Sequence, residues 1–259
     1  MIKIKIHNPT KGRNEPTFRA LYLMQHILRD HFSIDITDSD DYDYMFIGFE
    51  DFYDINLSLK DSADWGVNNV EKISQGGDYF LFDGFDSTSL AGTYEVLNQS
   101  NAIYLFKNQL LKNKEDYKNT AGFGRWWFPT NTELDISYDI SEKNWNRIKL
   151  SGMNLASQHP DYYQHVPICT NKSGVNAIFL TDHPCAPANG VKSPGLYYME
   201  HRKGVWKELD MLKNISVTKD RLPKQQYVKQ LWKSQLVISP YGMGEICYRD
   251  FEAMQIGTC

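Results

Sequence analysis

The sequence predicts an α/β protein built as two successive parallel sheets with flanking helices, and three observations carry that expectation. Apolar strand-type runs alternate with helical-period stretches from the first residue. The rhythm breaks between Gly122 and about Ser173 into aromatic and polar segments, then resumes to the end of the chain. Strand, helix, strand repeated in this way implies right-handed crossovers and a mostly parallel sheet.

Taken in order, Ile2, Ile4 and Ile6 alternate with Lys3 and Lys5, the pattern of a strand with one apolar face. The loop HNPTKGRNEP then opens a helix near Thr17 that carries Phe18, Leu21, Met24, Ile27 and Leu28 on one side. Strands are expected at 33–36, 44–48, 79–82 and 102–106, with helices near 62–74, 89–97 and 108–118. The aromatic stretch contains GFGRWWFPTNTELDIS and QHPDYYQHVP, with one helix expected over 142–157. Beyond it come a strand at 176–181, the loop PCAPANGVKSPG and a helix at 197–212. A strand at 215–218, a helix at 223–234, a strand at 236–239 and a helix at 245–255 complete the series. The final residues, Ile256 to Cys259, read as a helix-ending glycine followed by the start of another buried strand. The second domain is therefore expected to be truncated, with more chain beyond Cys259.

Composition narrows the function classes. The chain has 259 residues, 41% hydrophobic and 23% charged, with 28 Lys+Arg against 32 Asp+Glu for a net charge of −4. That balance excludes disorder and gives no electrostatic case for a dedicated nucleic-acid binder. No run is long and apolar enough to span a bilayer, and MIKIKIHNPT lacks the apolar centre of a secretory signal, so a cytoplasmic location is expected. The four cysteines, Cys169, Cys185, Cys247 and Cys259, contain no C-x-x-C pair. Residues 173–259 hold 11 Lys+Arg and 8 Asp+Glu, net +3, which leaves −7 for residues 1–172. The second half is thus the better host for an anionic ligand.

The segment richest in chemistry is 221–259. An apolar strand ends in Ser239-Pro240-Tyr241-Gly242-Met243-Gly244, and a helix is expected to begin at Glu245. Two glycines between a strand and a helix let backbone N–H groups approach a ligand, and the helix N-terminus adds partial positive charge. A phosphate or diphosphate is the natural guest, and a ligand-free tight turn is the alternative.

The run S-P-Y-G-M-G-E-I-C-Y-R-D-F-E-A-M-Q-I-G-T resembles the donor-binding segment of GT-B glycosyltransferases. It is most similar to the exostosin-like type, in which C-P-R-G-x-G-E-x-x-x-R-x-x-E-A-L-x-x-G recurs. Matching positions are Pro240, Gly242, Gly244, Glu245, Arg249, Glu252, Ala253 and Gly257. The close likeness covers about 20 residues, with compatible element order back to roughly Asn176.

The resemblance implies a GT-B architecture of two Rossmann-like domains, with 1–125 as acceptor domain, 126–172 as connection and 173–259 as the incomplete donor domain. It implies metal-independent transfer of a hexose-type sugar from a nucleotide diphosphate donor to a carbohydrate acceptor in an interdomain cleft. The nucleotide sugar is then a co-substrate, and no further cofactor is expected. Tyr241, Gly242, Met243 and Gly244 would lie beside the diphosphate, Ser239 at the strand end would join the donor site, and Glu252 would bond ribose hydroxyls. Glu245 and Arg249 stand four apart on one helix face, able to pair with each other or to reach the donor. Arg202 would suit a clamp on the leaving diphosphate. The chain departs from the pattern in two places: Tyr241 replaces the usual arginine, and Glu245 and Glu252 are seven rather than eight apart.

An acceptor hydroxyl needs a base, for which His7, Asp83 and Asp86 at strand ends of the first domain are candidates. Turn chemistry alone also favours Asp in F-D-G-F-D-S. The run 38–54 holds seven carboxylates, including two D-x-D triplets. These triplets precede a strand, on the edge away from where parallel sheets bind ligands, so a solvated acidic loop and no essential metal are expected. Trp126 and Trp127, with Phe123 and Phe128, would either stack on a sugar or pack between domains. Two other readings stay open: a GT-B-fold sugar-nucleotide epimerase, and a non-catalytic sugar- or nucleotide-binding module.

Overall fold

The structure is a computed structural model that describes residues 1–7, 18, 21–22, 24–54, 57–84, 88–118, 138–151, 169, 171–178, 196–213, 216–240 and 248–258. The chain divides into two compact units, Met1–Ser157 and Gln158–Cys259. Both are α/β, and every strand pairing in both is parallel.

The first unit is a Rossmann-like sheet. Its strands are β1 (Ile2–His7), β2 (Ile34–Thr37), β3 (Tyr44–Gly48), β4 (Tyr79–Asp83), β5 (Tyr104–Lys107) and β6 (Ile148–Leu150), in the order β2-β1-β3-β4-β5-β6. Helix α1 (Gln25–Phe32) joins β1 to β2. Helix α2 (Leu59–Ser74) joins β3 to β4, and α3 (Thr93–Gln99) joins β4 to β5. The Ser58 hydroxyl caps α2 by accepting the Asp61 N–H at 3.1 Å.

Strand alternation divides the core. Ile4, Ile6, Phe46 and Phe82 pack with Phe18 and Leu21 in one cluster. Met45, Ile47, Tyr79, Leu81 and Leu105 face the other way, into a cluster that includes Val70 of α2, Val96 and Leu97 of α3, and Ile148. Helix α2 lies so close to the turn after β3 that a Cβ on Gly66 would stand 2.1 Å from the Phe52 carbonyl oxygen. Gly66→Ala is accordingly expected to cost about 1–3 kcal/mol in urea unfolding. A variant as stable as the wild type would mean that the helix stands farther out.

The β2-to-β3 connection explains the Ile/Lys alternation of β1. A parallel crossover ordinarily takes a dozen residues or more and a helix. Here residues 38–43 cross β1 with no helix. The crossover is fastened to the lysine side of the strand. Asp43 N–H donates to the Lys3 carbonyl at 2.9 Å, and Asp43 Oδ2 accepts from Lys3 N–H at 2.7 Å. Lys5 Nζ lies 2.5 Å from Asp40, and Lys3 pairs with Asp41. The acidic run is the solvated loop expected from sequence, with Asp40 and Asp41 exposed, and its carboxylates also lend counter-charge to one face of β1.

Two expectations change. The helix expected at 108–118 reduces to a single 3-10 segment, Lys114–Lys118. Asn108 and Gln109 are buried polar residues at the end of β5 rather than the start of a helix. The helix expected at 142–157 is the short α4 (Glu142–Trp145), followed at once by β6, which pairs with β5. Ile148 anchors this strand in the core while Lys149 and Leu150 are exposed, so only one of its two apolar positions is buried.

The second unit contains β7 (Val175–Asn176), α5 (Leu196–Asp210), β8 (Val217–Thr218), α6 (Lys224–Lys233), β9 (Leu236–Val237) and α7 (Tyr248–Gln255). Its three strands are ordered β8-β7-β9. Ala177, Val217 and Ile238 pack with Leu209 of α5, whereas Val237 packs with Leu231 of α6 and Ile256. Lys172 Nζ caps the end of α7, donating to the Ile256 carbonyl at 2.9 Å and to Thr258 Oγ1 at 2.8 Å.

Candidate functional site

Strand order places the crevices. In each sheet the first strand has its successor on one side and a later strand on the other, so the connections part at β1/β3 and at β7/β9. Parallel sheets bind ligands beyond the carboxyl ends of the strands at such reversals.

At the first reversal His7 ends β1 beside Ile47 of β3. Alternation puts its side chain on the same side as Lys3 and Lys5. There it lines a cavity of about 630 Å³. Lys5 of β1, Asp40 and Tyr42 of the crossover, Asp51 of the turn after β3, Asn69 and Lys72 of α2, and Gln75 form the remaining polar wall. His7 Nε2 lies 3.9 Å from Asp51 Oδ1, and Asn69 Nδ2 donates to the Asp51 carbonyl, tying the turn to α2. Burial, reinforced by the Lys5 ammonium, holds the imidazole below its usual value of 6.5. His7 is therefore neutral at neutral pH and able to take a proton. Asp51 stands where it would stabilise the imidazolium that forms.

Asp83 occupies a different environment. Its side chain and that of Lys107 are both 0% exposed, with Lys107 Nζ 3.6 Å from Asp83 Oδ2. The two residues are register partners at the ends of β4 and β5. Beside them Asn108 is 3% exposed, and neither of its amide atoms has a hydrogen-bond partner among the described residues. Asp86 lies outside the described residues, as do Trp126, Trp127, Phe123 and Phe128.

In the second unit β9 leads through Ile238, Ser239 and Pro240 toward α7, the strand-to-helix order expected around the glycine motif. Tyr241, Gly242, Met243, Gly244 and Glu245 lie outside the described residues. Arg249 on α7 reaches back to the strand end, with Nη1 3.5 Å from Ser239 Oγ. One turn later Glu252 Oε2 accepts the Tyr227 hydroxyl of α6 at 2.8 Å. Arg202 is half-buried on α5.

From the sequence Asp51 is only one of the seven carboxylates in the run 38–54, and Lys107, Tyr227 and Asn176 go unmarked. A lysine closing the apolar strand YLFK and an asparagine inside VNAIF were the available signals, since a polar residue within a buried strand requires a partner.

Among the described residues no group of three or more His, Cys, Asp or Glu is arranged to hold a metal ion, and no helix is long and apolar enough to cross a membrane. No protein-family model matches the chain, and no curated protein matches it. The chain has a Rossmann-like parallel sheet with flanking helices, a fold type that commonly handles nucleotides.

Proposed function

We propose that the protein is a glycosyltransferase that moves a hexose-type sugar from a nucleotide diphosphate donor to a carbohydrate acceptor. The observation that carries this reading is the setting of the 239–257 motif. A parallel strand beside a reversal of strand order leads into the sequence that holds Gly242 and Gly244, and the helix beyond carries Arg249 and Glu252. A diphosphate ahead of α7 would be favoured by the partial positive charge of the helix start. Arg249 and Arg202 supply cationic charge for the departing diphosphate, and Glu252 bonds ribose.

The acceptor is assigned to the cavity of the first unit. As its hydroxyl oxygen bonds to the anomeric carbon, the bond from that carbon to the diphosphate breaks. The hydroxyl proton passes to His7 and the leaving diphosphate keeps the bonding electron pair.

The test is thermal unfolding with UDP, GDP, ADP and TDP. A ligand at about 100 times its dissociation constant adds ~2.7 kcal/mol. One nucleotide should raise the wild-type midpoint, and the shift should vanish in Gly244→Asp and in Glu252→Ala. Because Glu252 also accepts from Tyr227, Tyr227→Phe is the control: it removes that bond, keeps the carboxylate and should keep the shift. A wild type unmoved by every nucleotide, or a Gly244→Asp variant with the full shift, overturns the proposal.

A further inference from the structure

The second unit holds a fully buried amide that its core does not use. Asn176 ends β7 at 0% exposure, in register with Thr218 on one side and Val237 on the other. Its Oδ1 accepts the Ile178 N–H at 3.1 Å, which fixes the carboxamide plane. Its Nδ2, with two N–H donors, has no hydrogen-bond partner among the described residues. An unmet buried donor is costly, so a position that retains one calls for an acceptor from outside the fold.

Its position indicates the kind of acceptor. Laterally paired residues share a face of the sheet, so Asn176 lies on the side where Val237 meets α6 and the end of α7. Ser239, two residues beyond Val237, lies toward that side and is the residue Arg249 reaches from α7. The donor group, a cationic side chain and the start of an eight-residue helix thus gather at the ends of β7 and β9. All three favour an anion rich in acceptor oxygens.

Resting on the proposed nucleotide-diphosphate reading, we infer that Asn176 is a positioning residue whose Nδ2 donates to a diphosphate oxygen of the donor. The amide holds the diphosphate against the strand ends, and its Oδ1–Ile178 bond keeps the N–H groups aimed before the ligand arrives.

The experiment measures dissociation constants of UDP, GDP, uridine and guanosine by calorimetry, alongside the unliganded melting midpoint. Asn176→Asp keeps shape and the acceptor for Ile178 but removes both donors. Asn176→Thr is the second variant: it suits a strand, keeps an oxygen for Ile178 and falls short of Nδ2. Loss of a charged hydrogen bond should weaken the preferred diphosphate about tenfold to a hundredfold in both, leaving nucleoside affinity unchanged. The Thr variant's unliganded midpoint should hold, because Nδ2 has no partner among the described residues to lose. Unchanged diphosphate affinity overturns the inference while leaving the transferase reading intact. A parallel fall in nucleoside affinity overturns it by moving the contact off the diphosphate, and so does a lowered midpoint with affinity retained. A wild type that binds no nucleoside diphosphate overturns both.

Discussion

Replacing His7 by Gln should lower kcat for sugar transfer by about 10²–10⁴, with KM for the donor little changed. Gln keeps polar atoms at the end of β1 but cannot take the acceptor's proton. The pH profile gives a second readout. Burial and Lys5 hold the imidazole below 6.5, so the wild type should keep its base form at neutral pH and lose activity only as pH falls through a value under 6.5. That acid limb should be absent from His7→Gln. The same shift carries a stability consequence with a definite sign. Between 6.5 and the lower folded value the unfolded chain binds more protons, so this residue's contribution to stability falls as pH drops through that window and is nil above it. An unchanged kcat, or an acid limb that survives the substitution, would remove His7 as the base.

The largest structural effect is expected at Lys107. Lys107→Met leaves the Asp83 carboxylate fully buried without the ammonium 3.6 Å away. Breaking a buried pair from one side costs about 3–5 kcal/mol. For a unit of this size that is a fall in melting midpoint of roughly 6–20 °C. The double replacement Asp83→Leu with Lys107→Met should recover most of the loss, since a well-packed apolar pair avoids the desolvation of both ions. A loss under about 1 kcal/mol for Lys107→Met would indicate a pair that is solvated rather than buried. Because the Asp83 charge is engaged by Lys107 in the edge of the sheet, the proton-accepting role is assigned to His7.

Legibility in the sequence followed the periodicity of each element. β3 at Tyr44–Gly48 spans the expected residues, and α2, α5 and α6 fall within a few residues of theirs; α2 has the Ser58 cap, and α2 and α6 carry a sustained apolar period. β6 falls within the expected helix because an Ile-Lys-Leu alternation of three residues is too short to stand out from its surroundings. The helix expected from Asn108 failed for a related reason. Asn108 and Gln109 are polar yet buried at a strand end, and pattern alone reads buried polar residues as a solvent face.

The site shows the same division. His7 was visible as a polar residue closing an alternating strand, and the glycine motif as a fixed spacing. Asp51 is 44 positions from His7 and gains its meaning only from the pairing of β1 with β3. The acidic run 38–43 could be counted in the sequence, but its role as counter-charge to Lys3 and Lys5 depends on a helix-free crossover.

The parallel α/β class and the residue types able to do chemistry are legible in the chain alone, since both are written in local periodicity and spacing. Strand order, and with it which strand ends flank a crevice, emerges from folding. Strand order is set by which apolar faces bury best against one another across long separations in the chain, and no local pattern encodes that sum.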